Sequence, residues 1–576
     1  MTSHRSTFSH VTRGLGAAVA LLGALSAQTV IKVPNRPPIQ PVPHNQADWS
    51  CGDVYYVATN GDDNTGNGSL ATPWRSISFA VPQALSLSAT GSPITINVRA
   101  GLYDGVTESF PITLPARGIK LQAFEPGVTV RGVGNTAVLQ VNRKGSQSGP
   151  CGFTPDTVIR GLMLREGLNG IEIDTSMVGG TPATTPDRVR IQRCTIVDNT
   201  SKGILLSTAS GRRSQHVIEE NEIAYNADSQ GFGHGIRAFH DGDSSCLIRA
   251  NYIHDNEVGI EIWGASGQAD HVRPRIACNI VRDSEWGIAL AWCSSYLVNN
   301  TQGYGRPFSS GTMVYGVLLG TEGDHVVANN IMWNPASYAG TSAVADYDTS
   351  SLSGTTTEAT NWVLQVVGLG NPPGFVSPPV AQGSGDLHLS STSPLLEAGT
   401  NSYVLPEIDV TAGTITARAD VGMDFDGDSR VLDFDRNAAA LVEIGADELT
   451  GGTTVRLVTT GADAFGNVHT GGVSTTIPLL MSGLPGDMVL VYLWLPSAED
   501  PIIPNTFVDP FGNWRITTNN LVGVGTVPPN GVFTMNLTLD PAVLGLERQV
   551  YVQALTSDGS HSLGTITNRL LLEIDE

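Results

Sequence analysis

Charge is scarce in this chain. Only 15% of its 576 residues are charged, and 32 basic residues face 54 acidic ones. The formal balance of −22 excludes nucleic acid or an anionic membrane as a general partner, because both demand a basic footprint. No apolar run reaches the roughly 20 residues that cross a bilayer as a helix, so no transmembrane segment is expected. Cysteines number six (Cys51, Cys151, Cys194, Cys246, Cys278, Cys293) with no C-x-x-C pair, which removes the usual thiolate zinc pattern. Aromatics make up 6%, so any place where they gather is informative. What is plentiful is glycine, 65 residues of it. Low charge with abundant glycine argues for many short strands joined by tight turns, and against a helical bundle.

Residues 1–27 read as an export signal. Arg5 and Arg13 precede an apolar run from Leu15 to Leu25, and Ser26 and Ala27 offer a small-residue cleavage site. Its removal takes away two Arg and no acid, moving the formal charge from −22 to −24. A secreted protein, extracellular or at the cell surface, is therefore expected, in a compartment that permits disulfides. Cys51 with Cys151 is the first pair to consider, although spacing selects no connectivity. Cys194 falls within a repeat column and is expected as a buried thiol. Residues 28–52 form a leader rich in proline (Pro34, Pro37, Pro38, Pro41, Pro43).

The stretch from Val158 to Pro335 repeats one pattern. VIRGLML, IQRCTI, IEENEI, IRANYI, IACNIV, LVNNTQ and VVANNI align Gly161, Cys194, Asn221, Asn251, Asn279, Asn300 and Asn329 in one column. A second column holds Gly170, Gly203, Gly235, Gly259, Gly287 and Gly316, each followed by Ile or Val. Steps of roughly 21 to 33 residues signal a solenoid, and apolar alternation makes its elements strands. A second Asn column (Asn199, Asn226, Asn256, with Ser284 and Asn334 in later repeats) is expected to stack along the axis. Before the repeats, TPWRSISFAVPQAL places Trp74, Ile77, Ala80, Val81 and Leu85 on one side of a short amphipathic helix, with Pro82 expected to kink or end it. A solenoid needs its open apolar end capped, and this helix with its flanking strands is the expected cap.

These motifs resemble the right-handed parallel β-helix of the pectate-lyase-like superfamily, through the rhythm Asn-x-Ile-x-x-Asn-x-x-x-Gly-Ile. YYVATNGDDNTGNGSLATPWRSISFAV resembles an N-terminal domain of unknown function common in secreted bacterial β-helix proteins. The resemblance covers roughly residues 53–335 and implies an all-β fold. The superfamily contains lyases, hydrolases, epimerases and non-enzymatic surface proteins, and its lyases typically use Lys or Arg with Ca²⁺. The expected organisation is a cap and first coils over 53–157, the β-helix and its closing segment over 158–450, and an antiparallel β-sandwich over 451–576. VYVQALTSDG and ITNRLLLEI in that last part resemble a C-terminal module of secreted bacterial proteins.

Chemistry on such a solenoid belongs on outward positions. The residue after each repeat Gly points in and the next points out. The outward column is Glu172, Leu205, Arg237, Glu261, Ala289 and Leu318. Two residues on it is Asp174, Ser207, Phe239, Trp263, Ala291 and Gly320; just before the Gly it is Asn169, Lys202, His234, Val258, Trp286 and Tyr315. Neighbouring coils lie about 4.8 Å apart, so charge and aromatics gather over three coils: His234, Arg237, Phe239, His240, Asp241, Glu257, Glu261, Trp263, Glu285 and Trp286. The candidate catalytic residues are Glu261, Arg237 and His234. The candidate substrate-binding residues are Trp263, Trp286, Phe239, Lys202 and Glu285. Hydrolysis needs a second carboxylate, from Glu285, Glu257 or Asp241. Elimination needs a base, from Arg237, Lys202 or His234. The bland alternative for Arg237 with Glu261 is a surface ion pair. His240-Asp241 and His254-Asp255 read as turn positions. Asp424, Asp426 and Asp428 alternate and can offer hard oxygens to Ca²⁺. The expected partner is a polysaccharide or cell-surface glycan, bound by a monomer and cleaved, if at all, by a lyase or glycoside hydrolase. The alternative function is a non-catalytic adhesin or matrix protein.

Overall fold

The computed structural model describes residues 53–363 with short interruptions, the longest at 143–156 and 175–188. Beyond them it describes 373–377, 386–390, 392–400, parts of 407–418, Phe425, 442–446 and strands between 457 and 574. The export-signal and leader regions, Cys51, Cys151, Asp241, Asp424, Asp426 and Asp428 lie outside the described residues.

Three parallel sheets wrap one apolar interior. Sheet A has eleven strands, from Asp53–Val57 to Thr356–Ala359; sheet B has ten, from Gly101–Asp104 to Trp362–Val363; sheet C has nine, from Ile112–Pro115 to Ala343–Asp348. The chain visits A, B and C in turn, so each coil adds one strand to each sheet. This is a parallel β-helix, and its winding already begins within 53–157. A single core of Ile, Val and Leu runs through it, including Ile171, Ile204, Ile236, Ile260 and Ile288 directly after the repeat glycines. Burying these stacks supplies the main driving force, at about 25 cal/mol per Å² of apolar surface.

The helix runs Ile77–Leu87 and buries Ile77, Ala80, Val81 and Ala84 against the first coil. Pro82 lies inside it and does not end it. The backbone N–H groups of Ile77 and Ser78 donate to Glu108 Oε1 and Oε2, at 2.7 and 2.8 Å. Glu108, almost fully buried, thus satisfies the orphan donors of the helix start.

The repeat glycines are set by crowding. A Cβ on Gly259 would lie 2.5 Å from both Gly287 O and Val281 Cγ1, and one on Gly235 would lie 2.6 Å from Gly259 O. At this corner backbone meets backbone, and no other residue fits.

The first Asn column is a hydrogen-bonded ladder. Each side-chain Oδ1 accepts the N–H and Nδ2 of the Asn one coil earlier, through Asn221, Asn251, Asn279 and Asn300. It continues to Asn330 and Asn361, not to Asn329. Strand register pairs Val298 with Ala328, which puts Asn300 opposite Asn330. Asn329 and Gly161 instead belong to the neighbouring column, whose residues are left-handed: Gly161, Arg193, Glu220, Ala250, Cys278, Asn299, Asn329 and Thr360, with φ between 49° and 71°. Asn and Gly both tolerate that conformation, so NN dipeptides hide which of the two enters the ladder. Cys194 does occupy the ladder, buried, with Sγ donating to Gln192 O and Ile159 O. The second ladder runs Asn199, Asn226, Asn256. Farther along, Asn334 Oδ1 accepts Gly305 N–H, and Asn334 N–H ends on Asp346 Oδ1.

The closing segment lies on the outer face of sheet B. Phe375, Leu387, Leu389, Leu395, Phe425 and Ile444 pack with Ile280, Ile331 and Trp333, and with the half-buried Tyr252 and Trp362. Ala446 N–H donates to Thr301 Oγ1 and Asn299 Nδ2 to Glu443 O. Beyond residue 451 the described strands form a three-stranded and a five-stranded antiparallel sheet. Among the described residues no helix is long and apolar enough to cross a membrane.

Candidate functional site

Sheet C carries the three outward columns in the expected register. Glu172, Leu205, Arg237, Glu261, Ala289 and Leu318 face one another coil by coil; so do Ser207, Phe239, Trp263 and Ala291, and Lys202, His234, Val258, Trp286 and Tyr315. Alternation after the glycine corner dictates the Arg237 and Phe239 columns; at the corner itself alternation breaks, and Lys202, His234 and Trp286 stay partly exposed although two residues from an inward Ile.

Glu261 is the hub. Its Oε2 lies 2.6 Å from Arg237 Nε and 3.1 Å from His234 Nε2. Although outward, Glu261 is 4% exposed, so its charge is largely withdrawn from water and pairing matters more than at a surface pair. Arg237 is pinned from the other side. Its guanidinium carbon sits 4.4 Å from the Phe239 ring centre and 5.9 Å from Trp263, a cation–π arrangement. Burial pulls the His234 pKa below its usual value, opposed by Glu261. Burial, then the Arg237 charge, also lowers Lys202, with Glu261 and Glu172 opposing. Two nitrogen bases thus stand in one column beside a fixed Arg.

The aromatic row is Phe239, Trp263 and Trp292. Successive rings meet edge to face at 5.8 Å each. Trp292 is a site residue that sequence reasoning missed. Its φ of 52° places it at the turn after the strand, where alternation no longer says which way a side chain points. Its one signal in the sequence was an aromatic directly after outward Ala291, ahead of the buried Cys293.

The remaining expected residues fall elsewhere. Trp286 meets Tyr315 edge to face at 6.0 Å, one flank away from the Phe239–Trp263–Trp292 row. Glu285 is 6% exposed and sits in the turn beside Glu257, to whose carbonyl its N–H donates. Glu257 Oε2 accepts Gly233 N–H at 3.1 Å. His240 is a correction. It points inward, 1% exposed, with Nδ1 2.9 Å from Thr208 Oγ1 and Nε2 3.2 Å from Ser244 Oγ. The alternation that sends Arg237 and Phe239 outward sends Ala238 and His240 inward. Burial holds the His240 pKa down at about 3, so it stays neutral.

Carboxylate spacing constrains the chemistry. In the Glu261 column the other acids are Glu172 and Asp348, each three coils away. At about 4.8 Å per coil that is roughly 14 Å, beyond the ~5–9.5 Å that glycoside hydrolysis uses. Any second acid has to come from the flanking turns. Among the described residues no group of three or more His, Cys, Asp or Glu is arranged to hold a metal ion.

A family model described as right-handed β-helix region matches residues 178–279, and the solenoid is right-handed. Among solved structures, a GH136 lacto-N-biosidase from Eubacterium ramulus is 12% identical, over 55% of this chain and 68% of that one, with a TM-score of 0.29. Tailspike protein 2 from Escherichia coli O157:H7 bacteriophage CAB120 is 11% identical, over 86% of this chain and 66% of that one, with a TM-score of 0.27. Among curated proteins none matches the chain.

Proposed function

We propose that the outer face of sheet C binds an extracellular polysaccharide bearing acidic groups. The observation that carries this reading is Arg237, held between buried Glu261 and the Phe239–Trp263 rings. Half-buried aromatic faces suit sugar rings, and a fixed guanidinium suits a carboxylate or sulfate. Lys202, in register with His234, adds a second cation one coil earlier. The export-like N-terminus supports an extracellular setting, and Ca²⁺ at Asp424, Asp426 and Asp428 remains part of the proposal.

Cleavage, where it occurs, fits elimination better than hydrolysis. A base of lowered pKa, Lys202 or His234, stands beside Arg237, which can neutralise the uronate carboxylate. The test is an array of uronate-containing, sulfated and neutral glycans, read with wild type, Arg237→Ala and Trp263→Ala, followed by absorbance of the unsaturated product. Binding to acidic glycans should fall at least tenfold in both variants. Equal binding by all three proteins sinks the site. Binding without product leaves a non-catalytic adhesin.

A further inference from the structure

A second polar cluster lies on another face, at the C-terminal ends of three central strands of sheet B. Its strands Glu222–Ala224, Tyr252–His254 and Ile280–Arg282 stack in register, with Ala224, His254 and Arg282 in one column. The interior there is filled by Ile223, Ile253 and Val281, so the neighbouring side chains face outward. His254 Nδ1 lies 2.9 Å from Asp255 Oδ2. In the neutral ring an ionised Asp255 therefore accepts a hydrogen bond from Nδ1–H, which leaves Nε2 as an acceptor, the orientation a carboxylate imposes on imidazole.

That Nε2 makes no hydrogen bond to a described residue, although the His254 side chain is only 6% exposed. It faces Glu222 Oε1 at 3.5 Å. Two acceptors thus stand side by side with no donor between them. Burial opposes a charge on the ring, but the Asp255 hydrogen bond and the negative charges of Asp255 and Glu222 outweigh it and raise the His254 pKa. A proton is one way to fill the gap, and a ligand donor is the other. One coil on, Arg282 donates Nε to Asp283 at 2.7 Å and leaves its buried Nη2 without a partner among the described residues. Buried polar atoms left unpaired cost about 1–3 kcal/mol each, so a group that satisfies them is favoured. Glu222 is 23% exposed, so the pair meets solvent on the Glu222 side. Two rings flank it: Tyr252 lies 4.3 Å from the His254 ring, and Tyr225 lies 5.5 Å away, edge on. Both tyrosines are half-buried. Phe425 of the closing segment stands 6.5 Å beyond Tyr252.

We propose that this corner is a second binding site, for a sugar ring that offers an O–H or N–H donor to His254 Nε2 and Glu222 while packing on Tyr225. Turn stabilisation accounts for Asp255 but not for the open acceptor pair. The site is separate from sheet C and does not depend on the reading of that face.

The experiment follows the His254 ring resonance in full-length protein carrying ¹³C-labelled histidine, assigned with His254→Gln and recorded under alkaline conditions that favour the neutral ring. Glucose and glucosamine are the probes, added to high millimolar concentration. A saturable shift at His254 is expected, and its loss in Glu222→Gln. Tyr225→Phe, which keeps the ring, should retain it; Trp263→Ala should retain it too while losing glycan binding on sheet C. A response to both sugars marks a hydroxyl as the donor, and a response to glucosamine alone marks its amino group. No shift with either sugar, or a shift that survives Glu222→Gln, overturns the proposal. If Glu222→Gln fails to fold, Tyr225→Ala replaces it, with at least a fivefold weaker response expected and an unchanged response overturning the proposal.

Discussion

Replacing Asn251 by Ala should be among the most costly single changes in the β-helix. Its buried Nδ2 donates to Ile218 O, Arg249 O and Asn279 Oδ1, each at 2.9 Å. Its Oδ1 accepts the N–H and Nδ2 of Asn221, at 3.1 and 2.9 Å. Alanine removes all five contacts and orphans the buried Asn221 N–H. At a net value of about 1 kcal/mol per bond, the loss is about 4–5 kcal/mol. Asn251→Asp should cost at least as much, because an oxygen would face three acceptors. Asn361 is the last rung among the described residues, is only part-buried, and makes three such bonds, so Asn361→Ala should cost about 1–2 kcal/mol. Cys194→Asn should be at least as stable as the native chain, because Nδ2 can take the place of Sγ toward Gln192 O and Ile159 O. Urea unfolding of the full-length variants, followed by circular dichroism, measures these differences. A loss below about 1 kcal/mol for Asn251→Ala, or one no larger than for Asn361→Ala, refutes the ladder as a source of stability.

Two further changes probe the frame. Gly259→Ala should destabilise by about 1–3 kcal/mol, as overpacking does, since its Cβ would lie 2.5 Å from Gly287 O and Val281 Cγ1; an unchanged melting temperature would refute the close approach. Burial raises the Asp346 pKa to about 7. Between the ordinary carboxylate range and pH 7 the folded state keeps a proton that the unfolded state has lost. Stability therefore falls as pH rises through that window and levels off above it. Asp346→Asn keeps the Oδ1 acceptor for Asn334 N–H and should gain on the order of a few kcal/mol over wild type at about pH 8 but little at about pH 4; melting curves that stay parallel across that range would refute the shift.

The inward half of the coil was legible because it obeys period two. Ile, Val and the close-packed Gly recur at positions that only a stacked strand explains, and the outward columns follow by alternation. Register in the turns was less legible. Both Asn299-Asn300 and Asn329-Asn330 offer two candidates, and only hydrogen bonding across coils shows that the second enters the ladder while the first takes the left-handed position. His240 shows the opposite error: strict alternation from Ile236 puts it inside, where Thr208 and Ser244 satisfy it.

The position of the candidate site follows from what covers the other faces. Sheet B cannot offer a long open face on its later coils, because residues from far along the chain lie on it, as Phe425 near Tyr252 and Ala446 on Thr301 show. No periodicity within a repeat announces such a contact. On sheet C, by contrast, the ring and charge contacts of Arg237, Trp263 and Trp292 among the described residues stay within their own rows, and all three remain half-buried. A straight polymer laid along the axis would meet a new side chain about every 4.8 Å, close to the length of one sugar unit. The Arg237–Glu261 pair, fixed by neighbours on both sides, would then hold one unit in place while the aromatic row carries the next. Losing Trp292 should therefore weaken long glycans more than short ones, whereas losing Arg237 should weaken both alike. Titrating an oligosaccharide length series against Trp292→Ala and Arg237→Ala separates the two, and a Trp292→Ala loss independent of chain length would break the link between the aromatic row and a polymer running along the axis.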